Sequence, residues 1–201
     1  MSKKAVRAGR PFTKTLLENG QSQKLLSGAM TSPFITQMVQ GKLNPSIFRN
    51  FELQDAFYLS SARDILKGTA KQIASSNPEF ADMYNTQAGK YDSVVEELRK
   101  KYNLPDVTSI SPVRVTEDYV GYLAELSQKD PRFLAVGVLP CSQFWRSISG
   151  QLIDDVKDTS EYKSWFAENV RPPGYESLLE KFINDKVSDG TFTFETLSGF
   201  T

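Results

Sequence analysis

The stretch "NPSIFRNFELQDAFYLSSARDILKGTAKQIAS", residues 44–75, decides the fold. It opens on Asn44-Pro45: a side chain that accepts from the first free amides, followed by a ring already set at helical φ. At about 100° per residue, Phe48, Phe51, Tyr58, Leu59, Ala62, Ile65, Leu66 and Ile73 then fall on one arc. A helix this long with one apolar face needs partners along its length, and the economical arrangement is an antiparallel bundle.

The same punctuation recurs at Ser32-Pro33, Asn77-Pro78, Ser111-Pro112 and Asp130-Pro131, each read as a helix start. Between these marks the apolar residues repeat at about 3.6. Helices are expected over 13–29, 33–40, 45–75, 78–102, 112–128, 131–156, 159–169 and 174–187. The one short alternating run is "TFTFE" at 191–195, so the class is all-α. "YNLPDVTSISP", 102–112, reads as a loop within one helical domain spanning 13–201, preceded by a basic arm at 1–12.

Composition narrows the chemistry. Lys plus Arg and Asp plus Glu stand at 24 each, so no net field draws the chain to nucleic acid or to an anionic membrane, and the expected ligand is a small molecule. No apolar run approaches the roughly 20 residues of a membrane span, and a cytoplasmic location is the default expectation. The chain has one cysteine and no histidine. This excludes an internal disulfide, histidine-ligated haem, the usual zinc sites and Ser/His or Cys/His pairs. No cofactor or metal is expected.

Polar residues on apolar arcs are the candidates that remain. Asp55 lies near the middle of the 45–75 arc. A carboxylate there must be paired, protonated or open to a polar cavity, because an unpaired buried charge costs several kcal/mol. On 131–156 the arc of Phe133, Leu134, Val138, Phe144, Trp145, Ile148 and Leu152 is centred on Cys141, which reads either as a small apolar filler or as a nucleophile. Pro140 precedes it, kinking the helix and leaving the Val136 carbonyl in need of a partner. Glu117 lies on the less apolar side of its helix, with Val113, Val120, Gly121 and Ala124. Phe51, Tyr58, Tyr119, Tyr122, Phe144 and Trp145 are core aromatics or a platform for a flat ligand.

These residues in this order resemble the TenA, or thiaminase II, family. The likeness runs from about residue 30 to 185 and rests on Ser32-Pro33-Phe34, Gly41-Lys42-Leu43, Leu53-Gln54-Asp55, Tyr58-Leu59, Leu139-Pro140-Cys141 with Trp145, and Tyr162-Lys163-Ser164-Trp165. The resemblance implies a haem-oxygenase-like helical bundle without haem, forming a homo-oligomer, dimer or tetramer. Such proteins hydrolyse thiamine or replace an amine of its degraded aminopyrimidine with water. It further implies that Asp55 contacts the pyrimidine and that Cys141 is the nucleophile. Tyr58, three residues after Asp55, would orient it, and Trp145 would wall the ring; Phe51 and Tyr122 complete the expected binding set.

Three positions differ from the family pattern. Glu117 stands where a stacking tyrosine is expected and becomes the third catalytic candidate; Asn169 replaces a second tyrosine; and Glu195 is the one candidate for a glutamate that the family carries on a long last helix. The alternative expectation is a diverged bundle that binds another small aromatic ligand without hydrolysing thiamine. A carboxylate-rich metal oxidase ranks last, because its histidine ligands are missing.

Overall fold

The computed structural model describes residues 10–193. Its ordered elements among these residues are helical: α1 (Phe12–Leu17), α2 (Gly20–Met30), α3 (Pro33–Val39), α4 (Pro45–Ile73), α5 (Pro78–Tyr102), α6 (Arg114–Lys129), α7 (Leu134–Leu152), α8 (Lys163–Asn169) and α9 (Leu178–Ser188). Short 3-10 turns lie at Val107–Ser109, Pro131–Phe133 and Ile153–Asp155. The all-α helical bundle expected from periodicity is the fold. None of these helices is long and apolar enough to cross a membrane.

Most expected starts stand where local chemistry puts them. The Ser32 and Asn44 side chains accept from the backbone amides of Ile35 and Ser46, and Pro33 and Pro45 follow at the first helical position. Asn77 precedes Pro78 without a side-chain cap, and Asp130 caps the 3-10 turn that leads into α7. Ser111-Pro112 is a correction: α6 begins at Arg114, two residues later. Gln54 of α4 explains the delay, accepting from the Val113 amide at 2.8 Å and donating to the Ser111 carbonyl at 3.1 Å. The helix expected over 13–29 is broken by Asn19, whose side chain caps α2 through the Gln21 and Ser22 amides. The last helix starts at Leu178 rather than 174, behind a capping box of Ser177 and Glu180.

The chain divides into two compact units, residues 43–140 and residues 1–42 with 141–201, and the second division falls inside α7, after Pro140. In the first, α4 and α5 form a long antiparallel pair, with Ala56, Ala62, Leu66, Ala70, Ala88 and Val95 buried along it. Arg63 and Lys67 of α4 both bind Asp92 of α5, at 3.1 and 2.6 Å. The opening of α7 approaches α6 at Gly137, where a Cβ would stand 2.6 Å from Leu126 and 3.0 Å from Leu123. A side chain there would have to push the ends of both leucines aside.

In the second unit, α1 and α9 are joined through Thr13 and Asn184, amide to side chain at 3.0 Å and side chain to side chain at 3.1 Å. Ser160 donates to the Met38 carbonyl at the end of α3, and Gly41, at φ +65°, lies against Ser160. Its core gathers Phe12, Leu26, Ile35, Met38, Ile148, Phe166 and Ile183. Phe12 thus opens α1 inside the expected arm, while residues 1–9 lie outside the described residues.

Candidate functional site

Asp55 projects from α4, a helix of 29 residues capped at its start by Asn44. It is half-buried, and no hydrogen bond or ion pair joins it to any described residue. Burial first, and the charge of Glu52 second, push its carboxyl from an ordinary 3.8 up to about 7. At neutral pH both protonation states are therefore well populated, as proton transfer requires. Such a strongly perturbed, unpartnered acid is the clearest candidate functional group of the molecule.

Tyrosine rings line the same stretch. Tyr58, 5% exposed, stacks on Tyr119 at 5.3 Å between centroids with an 11° interplanar angle and meets Tyr91 at 6.3 Å. Tyr119 in turn stacks with Tyr122 at 6.4 Å. The expected orienting bond from Tyr58 to Asp55 does not form; Tyr58 packs with its neighbouring rings. The Tyr119 hydroxyl donates to the Gly137 carbonyl at 2.7 Å, one residue on from the Val136 carbonyl that Pro140 was expected to orphan. Tyr122 is 39% exposed, and burial, then Glu125, hold its hydroxyl above the usual tyrosine value. Phe51 is half-buried, tilted against Phe48 at 6.0 Å.

Glu117 is exposed in the first turn of α6, where a negative charge suits the helix dipole, and it carries no bond to Asp55. Asp55, Tyr58, Phe51, Glu117 and Tyr122 belong to residues 43–140, Cys141 and Trp145 to the other unit. Cys141 is a half-buried thiol directly after Pro140 inside α7. One turn on, Trp145 meets Trp165 edge to face at 5.4 Å and Phe144 at 6.1 Å. Asn169 donates to the Trp165 carbonyl, closing the end of α8. Glu195 lies outside the described residues.

Two buried carboxylates went unread in the sequence. Glu52, at the edge of the apolar arc that holds Asp55, accepts from Lys101 at 2.8 and 2.6 Å and from the Tyr102 hydroxyl. Glu180 of α9 is bound in two places by Arg146 of α7, and also by Gln143 at 2.8 Å and the Ser177 amide at 2.9 Å. Burial alone would raise the Glu180 carboxyl, but Arg146, Gln143 and Ser177 outweigh it and hold the group at about 2. The spacing Ser177-x-x-Glu180 is the local signal that could have found this second acid. Among the described residues no three His, Cys, Asp or Glu side chains converge to hold a metal ion. Compared with known proteins, the chain matches no family model and no curated protein.

Proposed function

We propose that the protein hydrolyses the bond between the methylene carbon of an aminopyrimidine and its departing nitrogen, in thiamine or a thiamine-derived pyrimidine, as the resemblance to the TenA family implies. The observation that supports this reading is Asp55: half-buried, unpartnered and poised at about 7. A heteroaromatic ring with a basic nitrogen beside an exocyclic amine offers such a carboxyl both an acceptor and a donor. Asp55 would hold the proton on the ring nitrogen while the ring accepts a nucleophile, and return it as the adduct collapses. In the overall step water supplies the hydroxyl, the carbon–nitrogen bond breaks, and the amine departs with a proton. Cys141 enters as the nucleophile through the resemblance alone: its thiolate adds to the electron-poor ring and leaves once water has replaced the amine. The same resemblance implies a homo-oligomer.

The test is product release from thiamine and from an aminomethylpyrimidine, followed by chromatography. Turnover by the wild-type chain, with at least a hundredfold loss in Asp55→Asn and in Cys141→Ser, is the expected result. Full activity in Cys141→Ser would remove the nucleophile.

One observation favours a second reading. Glu117 is exposed and Glu180 is locked to Arg146, so neither is disposed to protonate a leaving amine. A bundle that binds a small aromatic ring at Asp55 without hydrolysing it would give no product, yet would be stabilised against heat by a pyrimidine.

A further inference from the structure

Glu52 and Asp55 stand three residues apart on α4, which puts them one above the other on the same face. Their surroundings differ sharply. The Glu52 side chain is 9% exposed and fully engaged by the Lys101 ammonium and the Tyr102 hydroxyl of α5. Lys101 is itself fixed, standing over the Phe48 ring at 5.5 Å and the Tyr102 ring at 5.3 Å, and Arg49 covers Tyr102 at 5.5 Å. Asp55 has no such partner. Two carboxylates this close resist being charged together, and the proton goes to the one whose charge nothing compensates.

We propose that Glu52 is a positioning residue for Asp55: a negative charge fixed by Lys101 and Tyr102 that makes Asp55, one turn on, the member of the pair that carries the proton. The inference rests on the reading of Asp55 as the working carboxyl. It adds that at neutral pH a large share of molecules meet the substrate with a neutral acid, able to donate to a ring nitrogen. The burial-driven rise of the Asp55 carboxyl, with Glu52 as its one electrostatic contributor, agrees with this assignment. On the helices packed against this part of α4, several other titratable groups have partners of their own. Lys101 and Tyr102 of α5 face Glu52, Tyr91 of α5 packs on the Tyr58 ring, Asp92 is held by Arg63 and Lys67, and Tyr119 of α6 bonds the Gly137 carbonyl.

The experiment is a carbon-13 NMR titration of the aspartate carboxyl carbons in the full chain, with Asp55→Asn assigning the resonance. Glu52→Gln removes the charge while leaving one amide oxygen to accept from Lys101 or Tyr102, and should lower the Asp55 midpoint by roughly half to one pH unit. Asp92→Asn, which removes a carboxylate engaged elsewhere, should leave it in place. Lys101→Met takes the ammonium from the Glu52 carboxylate, so Glu52 should compete for the proton and the Asp55 midpoint should fall. An unmoved midpoint in folded Glu52→Gln overturns the proposal. If Glu52→Gln does not fold, Lys101→Met decides alone, and a midpoint that stays or rises there overturns it. Failure to turn over any aminopyrimidine would remove the proposed reaction but leave this titration standing. An unmoved midpoint would remove the role of Glu52 without touching turnover.

Discussion

A carboxyl held at about 7 has a consequence for stability that runs opposite to the usual acid. Below about pH 4 Asp55 is protonated in both the folded and unfolded chain and contributes nothing. Between about 4 and about 7 the unfolded chain releases the proton while the folded one keeps it, so stability declines as pH rises. Above that range the decline is complete. Asp55→Asn, which cannot ionise, should therefore match the wild type near pH 4 and exceed it at pH 8 by up to about 4 kcal/mol. Urea unfolding at the two pH values measures this. A gain in stability accompanied by loss of turnover would identify Asp55 as a residue kept for chemistry at the expense of the fold.

Helices were legible where a local end signal met no competitor from elsewhere in the chain. Ser32-Pro33 and Asn44-Pro45 carry both cap and first-turn residue in two letters, and the structure follows them. Ser111-Pro112 carries the same two letters and fails, because Gln54, 57 residues earlier, takes the amide and carbonyl that a local cap would have used. The same limit governs the site. Asp55 was legible from its place on the arc, whereas the burial of Glu52 depends on Lys101 and Tyr102, 49 and 50 residues away. Gly137 shows it again: nothing nearby in sequence marks it, yet it sets how closely α7 approaches α6. Gly137→Ala drives a methyl into the ends of the buried Leu123 and Leu126 side chains, which must shift to admit it, and should cost about 1–3 kcal/mol despite alanine's better helix propensity. Thermal unfolding checks it, and a stabilised variant would show that the helices separate freely.

Across the whole molecule the two units are built differently. Residues 43–140 are one unbroken stretch, while the other unit is assembled from both sides of it. In the late part of that second unit the Arg146–Glu180 pair joins α7 to α9. Arg146→Met strands a buried carboxylate and should cost about 3–5 kcal/mol in chemical denaturation. The Glu180 carboxyl is depressed from 4.5 to about 2, so its contribution is present above the unfolded value and disappears as pH falls from about 4.5 towards 2. Wild type and Arg146→Met should accordingly converge in acid. The bond between Thr13 and Asn184 carries a different consequence, one of timing. On the ribosome the helices up to residue 42 emerge first, but their partners begin at Cys141. At roughly 5–20 residues per second the intervening stretch takes on the order of 5–20 s to appear. The last-made unit is thus begun by the first-made helices, which wait with apolar faces uncovered while the central segment folds, and that interval is when chaperones would be needed.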